Sequence, residues 1–267
     1  MKTVSTIVGS FVFGVGLLAQ TVSPVQSGAR PFGLGIADPV MLAGSDATSA
    51  RFQSSVLPAL TTYLAQILPE GQRINQGSQL FDPSKIRLTT DADVRVYFVS
   101  EGSAAANTLG FDVSGSGQGR SSEIIFPNAS SGASRTAANP LRPGDFVDLG
   151  EFESGQKLDF FLVAEKVNGG GNGKSGKGSS ANNDLIRNVV SFATMYGSYL
   201  IIGFEETIGG GSDRDFNDLL FAIDLGSANA AALAGLTATP EPATWLILGS
   251  FIAGGFWLVR SRRKATA

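Results

Sequence analysis

Residues 204–224 read FEETIGGGSDRDFNDLLFAID and set six carboxylates, Glu205, Glu206, Asp213, Asp215, Asp218 and Asp224, against one base, Arg214. The apolar runs on either side, 199–204 and 219–223, are short and rich in Leu, Ile and Phe, the composition of buried strands. Gly209, Gly210 and Gly211 between them permit a turn that residues with a Cβ would strain to make. The predicted unit is therefore strand, acidic loop, strand. Like charges gathered on a loop repel one another unless water or a cation screens them. An oxygen-only set of Asp, Glu and Asn suits a hard cation such as calcium.

The spacing Asp213, Asp215, Asn217 repeats the opening of a helix-loop-helix calcium loop, but the rest of that loop is missing. Its sixth position requires glycine and is Asp218 here. Its twelfth, Asp224, lies six residues further along a predicted strand, about 20 Å away at the rise of an extended chain. A calcium site built on Asp213, Asp215, Asn217 and Asp218 must therefore recruit ligands from elsewhere, and Glu205 and Glu206 are the nearest acids. The competing reading is that these side chains only cap turns and accept from backbone amides, as Asp and Asn do between strands.

The same strand signature recurs upstream. Val94, Val96 and Phe98 alternate with Arg95 and Tyr97, and residues 146–152, 158–164 and 189–192 read as further strands. Pro143-Gly144-Asp145 and Ser154-Gly155 mark turns between them. Many strands without intervening helices imply an all-β fold, a sandwich or jelly roll with two sheets over one core. One short helix precedes it: Leu57, Leu60, Leu64, Ile67 and Leu68 fall at helical spacing, with Ser54 and Ser55 as caps and Pro58 in the first turn. Its apolar stripe packs on the β domain or binds a partner. Residues 168–183, NGGGNGKSGKGSSANN, read as a flexible loop, and their glycines do not match a phosphate-binding loop.

The wording GFEE, GGGSDRDFNDLLFAI, with VYFVSEGSAAANTLGF (96–111), IFPNAS (125–130) and LRPGDFVDLGEFESGQKLDFFLVA (141–164), resembles the 4114 family of domains of unknown function found in exported bacterial proteins. The resemblance covers about residues 91–225 and implies an all-β extracellular domain. It implies no enzymatic activity.

Composition narrows the chemistry. The 267 residues contain no Cys and no His, which excludes disulfides, thiolate nucleophiles, serine-histidine triads and most zinc or copper sites. The net charge of −3 conceals an acidic body, because residues 28–239 carry 15 basic against 22 acidic side chains while Arg260, Arg262, Arg263 and Lys264 cluster at the terminus. Nucleic acid, which needs basic patches, is not expected as a partner.

Both ends read as addresses. Residues 1–27 combine Lys2, an apolar run and small residues before Gly28, the layout of a secretory signal peptide. Residues 28–90 form an N-terminal segment bearing the helix, 91–225 the β domain, and the alanine-rich 226–239 a linker. Pro240-Glu241-Pro242 then leads into 17 uncharged residues, 243–259, flanked by Trp245 and Trp257 and followed by the basic cluster. That length is the short end of a membrane-spanning helix, with the basic side in the cytoplasm. The order of Pro-Glu-Pro, apolar helix and basic cluster at 240–264 resembles the PEP-CTERM sorting signal of Gram-negative bacteria. It implies processing by an exosortase-type protease, transient anchoring in the inner membrane, release to the cell surface or beyond, and a link to exopolysaccharide.

Three functions are consistent with these readings. The first is a non-enzymatic exported surface or matrix protein, steadied by calcium. The second is a carbohydrate-binding module for the exopolysaccharide. The third is a glycoside hydrolase using two carboxylates, Glu205 with Asp213.

Overall fold

The computed structural model describes residues 27–74, 86–102, 105–115, 118–163, 190–205 and 213–237. Residues 1–26 of the predicted export signal, the glycine-rich stretch, Glu206 and the sorting tail lie outside these residues. The described chain is mostly β-sheet. Its strands are β1 (Gly35–Ile36), β2 (Ala92–Glu101), β3 (Thr108–Gly115), β4 (Gln118–Phe126), β5 (Phe146–Phe152), β6 (Lys157–Val163), β7 (Val190–Tyr196), β8 (Tyr199–Glu205) and β9 (Leu219–Asp224). They form a four-stranded sheet, β1-β4-β3-β6, and a five-stranded sheet, β5-β2-β9-β8-β7. All pairings between named strands are antiparallel except β1 with β4.

The two sheets share an apolar core. Val94, Val96 and Phe98 of β2 and Phe221 and Ile223 of β9 join Leu109 and Phe111 of β3 and Phe160 and Leu162 of β6 in one buried cluster. Phe126 stacks on Phe221 at 5.8 Å between ring centroids, and Phe98 meets both edge-on at 6.4 and 6.3 Å. The opposite face of the five-stranded sheet is also covered. Tyr97 and Val99, alternate residues of β2, and Leu220 and Ala222 of β9 pack with Phe52, Leu57, Leu60 and Leu64. Burial on both faces explains why β8 and β9 read as continuous apolar runs.

The covering helix begins earlier than its sequence suggests. It runs through α1 (Ala47–Arg51), a π-helical turn (Phe52–Val56) and α2 (Leu57–Ile67). The cap is Asp46, whose carboxylate accepts from the Ser49 amide at 2.6 Å while Ser49 Oγ accepts from the Asp46 amide. Ser54 and Ser55 lie inside the helix, as does Pro58, which offers no amide hydrogen to the Ser54 carbonyl. The preceding turn widens, with Leu57 N–H donating to the Phe52 carbonyl. The apolar stripe of α2 packs on the sheet, as one of the two readings of it required.

Residues 227–237, read from sequence as part of a linker, form α3 (Ser227–Thr237). Asn229 explains the difference. Its Oδ1 accepts from the Thr89 and Thr90 amides at 2.7 and 3.1 Å, and its Nδ2 donates to the Thr90 and Leu225 carbonyls. A 1 % exposed amide so fully satisfied fastens α3 to the chain entering β2, and Leu233 enters the shared core. Strands β3 and most of β4, with Gly110, Asp112, Ser114 and Ser121–Glu123, carry too many small and polar residues to read as strands from sequence.

Two charged groups fasten the N-terminal segment. Asp145 is fully buried and accepts from Ala43 N–H at 2.9 Å, Arg142 N–H at 2.8 Å and both Nη atoms of Arg135 at 2.5 and 2.7 Å. Arg95 donates to Asp46 at 2.9 Å and Asp148 at 2.7 Å, with its guanidinium 4.4 Å above the Phe146 ring. Asp145→Ala leaves those donors unpaired, and urea denaturation is expected to show a loss of about 3–5 kcal/mol.

The Asp46 carboxyl is held below its ordinary 3.8, first by the Ser49 amide and further by Arg95. A depressed carboxylate stabilises the fold above its unfolded value and loses that contribution as pH falls through the folded one. Asp38, pushed up by burial and the Asp148 charge, works in the opposite sense. Melting temperature is therefore expected to fall below about pH 4. Asp46→Asn should flatten that acid limb, and a limb of unchanged slope in the variant would assign it to other carboxylates.

Candidate metal centre

The acidic stretch lies between β8 and β9 in the chain, and its described residues stand at the end of the five-stranded sheet where β9 begins. Its described part, residues 213–218, is anchored from beneath and from the side. Phe216 is 2 % exposed and belongs to the cluster under the helix, and its carbonyl lies where a Cβ on Gly203 of β8 would sit. Only glycine at 203 lets the loop come down onto the strand. Arg214 and Phe216 both hold left-handed backbone, φ 58° and 57°, which side chains of this size rarely adopt. Asp215, between them, supplies bonds that hold this backbone. Its Oδ1 accepts from the Asn217 amide at 3.2 Å, and its Oδ2 accepts from Asn217 Nδ2 at 2.9 Å and from the Gly71 amide at 2.8 Å.

The Gly71 bond brings in a second segment. The turn after α2 carries Glu70 and Gly71, and Ile74 N–H donates to the Arg214 carbonyl at 3.1 Å. Carboxylate oxygens of Glu70, Asp213 and Asp215 thereby come within 4.8 Å of one another, Glu70 and Asp213 exposed and Asp215 buried. Asn217 Nδ2 donates to Glu70 at 3.1 Å as well as to Asp215, so its amide group bridges two of the three acids. Turning that amide over would present Oδ1 to the carboxylates, an arrangement that requires a cation between them. The three carboxylates, joined by the Asn217 amide oxygen once turned, would form a hard, oxygen-only donor set. That set fits calcium better than zinc or copper.

The residues predicted as ligands separate into groups. Asp213 and Asp215 belong to the triad, and Asn217 adjoins it through its amide. Asp218 lies outside the triad and accepts from Gly102 N–H at 3.1 Å through its carbonyl. Glu205 is 2 % exposed at the end of β8 and also lies outside the triad, so the geometry does not bring it to Asp213 in that cluster. Glu206 is outside the described residues. Glu70 was not anticipated, because it stands 145 positions before Asp215 in a Pro-Glu-Gly turn that carries no local signal.

The buried and exposed acids should respond differently to removal. Asp215→Ala is expected to lower stability by about 2–3 kcal/mol in calcium-free buffer, since it leaves the Gly71 and Asn217 amides without their acceptor. Glu70→Ala and Asp213→Ala should stay within about 0.5 kcal/mol of the parent there. Urea denaturation in chelator checks both expectations.

Among the described residues, no helix is long and apolar enough to cross a membrane, and the predicted span at 243–259 lies outside them. Comparison of the chain with protein-family models, curated proteins and solved structures finds no match.

Proposed function

We propose that the chain is a non-enzymatic, exported bacterial surface or extracellular-matrix protein. In this reading its two sheets form a sandwich of jelly-roll kind, and one calcium ion held by Glu70, Asp213 and Asp215 steadies the loop at its end. The observation that carries the calcium reading is the convergence of three carboxylates from two distant segments within 4.8 Å. An ion there would offset their mutual repulsion and clamp the turn after α2 to the loop before β9. Asn217 would turn its amide to add an oxygen. Glu205, Glu206 and Asp218, the other sequence candidates, are not needed for this set.

Export and sorting rest on the two ends of the sequence. The signal-like residues 1–27 and the tail with Pro240, Glu241 and Pro242, an apolar run and four basic side chains support secretion, transient anchoring in the inner membrane and trimming by an exosortase-type protease. The exopolysaccharide associated with such tails is the candidate partner.

Calcium at 100 times its dissociation constant would add about 2.7 kcal/mol to stability. The melting temperature of the full chain is expected to fall on adding chelator and recover with calcium. Glu70→Ala and Asp213→Ala should abolish this response while leaving the chelated protein unchanged. An identical melting curve with and without calcium would leave the loop as a turn. For the tail, mass measurement of protein recovered from the cell surface is expected to lack residues beyond about Pro240. A retained Arg262 would exclude cleavage.

A further inference from the structure

At the opposite end of the five-stranded sheet from the acidic loop, a cavity of about 700 Å³ opens between the start of the helix and the turn joining β7 to β8. Tyr196 and Tyr199 line it together with Arg51, Thr48, Ser198 and Asp224. The two rings are held by other rings. Tyr199 meets Phe52 edge-on at 5.3 Å, and Tyr196 packs against Tyr63 at 5.2 Å. Phe52 is itself stacked on Tyr97 at 3.9 Å, so the platform continues into the buried cluster under the helix. Both tyrosines nevertheless remain half-buried at the cavity wall.

The polar groups around these rings are open to a ligand. Arg51 is exposed and makes no ion pair or side-chain hydrogen bond with the described residues, and the hydroxyls of Thr48, Ser198, Tyr196 and Tyr199 likewise have no such partner there. Asp224 Oδ1 accepts from Gly226 N–H at 3.0 Å, which leaves Oδ2 for a further donor. Burial and the Asp224 charge push the Tyr199 hydroxyl above its ordinary 10.0, while Arg51 and Arg95 work against them, so the cavity-lining charges of Arg51 and Asp224 both reach this hydroxyl. A cation and a carboxylate lining one space cancel at a distance and favour no net charge. At close range they offer both a hydrogen-bond donor and an acceptor, and the tyrosine rings offer apolar surface.

We infer that this cavity binds a neutral pyranose unit of a polysaccharide, its ring against Tyr196 and Tyr199 and its hydroxyls bonded to Arg51 and Asp224. A sugar presents an apolar C–H face and a rim of hydroxyls, the complement of rings flanked by a cationic donor and a carboxylate acceptor. The volume lies within the roughly 300–1,000 Å³ of small-molecule sites and exceeds what one ring requires. This deepens the surface-protein reading above by naming a ligand class. It differs from sugar binding at the acidic loop because no calcium is involved. Binding by the purified chain does not depend on export, so loss of one reading leaves the other standing.

Titration calorimetry of the full chain in chelator, with cellohexaose, maltohexaose and hexagalacturonate as probes, tests the inference. At least one neutral hexasaccharide is expected to bind, and the anionic one to bind at least tenfold more weakly. Arg51→Ala and Tyr196→Ala should each weaken binding about tenfold with circular dichroism unchanged, and Tyr196→Phe should retain most of it. Arg51 is exposed on the helix and has no side-chain partner among the described residues, so its variant reports on binding even if Tyr196→Ala perturbs the hairpin. Absence of binding by both neutral probes at millimolar concentration, binding indifferent to Arg51→Ala, or preference for hexagalacturonate would each overturn the inference.

Discussion

The contact between Phe126 of one sheet and Phe221 of the other, with Phe98 edge-on to both, is the constraint on which the arrangement depends. Burying each ring contributes about 2–3 kcal/mol, and the pairs add a geometric preference that fixes how the sheets face one another. Phe221 belongs to β9, the central strand of the five-stranded sheet. The acidic loop enters that strand and the cavity lies at its far end, so one strand sets the positions of both candidate sites. Phe204 of β8 also packs edge-on to Phe221 at 6.2 Å, which fixes the other arm of the loop.

Carboxylates in this protein serve two physical purposes, and burial separates them. Asp145 and Asp215 are sealed from water, and each accepts an N–H from a distant segment, Ala43 and Gly71 respectively, so each ties chain to chain. Glu70 and Asp213 are exposed and bring charge without closing a contact of comparable depth. Asp215 belongs to both groups, since it secures the left-handed turn and completes the acidic triad. An ion at that position would act directly on the strained backbone of Arg214 and Phe216. Loop shape and cation affinity would then be linked through one side chain.

The helix connects the two ends of the five-stranded sheet. Its N-terminal part carries Thr48 and Arg51 to the cavity, and the turn after its last residue carries Glu70 to the acidic loop. Between these ends Leu57, Leu60 and Leu64 bury its stripe on the sheet. Asp46 and Arg95 fix the start of the helix, while the Gly71 and Ile74 amides fix the chain that follows it. Neither site could be assembled from the strands alone.

Much of this architecture was legible in local chemistry. The apolar runs of β8 and β9 and the alternation in β2 need no distant information, because a strand's side-chain period is visible within five residues. Asp213 and Asp215 stood out as neighbours for the same reason, and the lack of Cys and His removed whole classes of chemistry from composition alone. Contacts across the chain could not be read this way. Glu70 joins Asp213 and Asp215 only because α2 ends beside the loop, and α3 is held to the chain entering β2 because Asn229 finds the Thr89 and Thr90 amides. The capping role of Asp46 was obscured by Pro58, which reads as a helix start and instead lies after a π-helical turn. Periodicity and composition are properties of neighbouring residues and survive in the sequence. Which acids meet, which carboxylate is buried and which tyrosines line a cavity depend on segments up to about 150 residues apart, and packing alone brings those together.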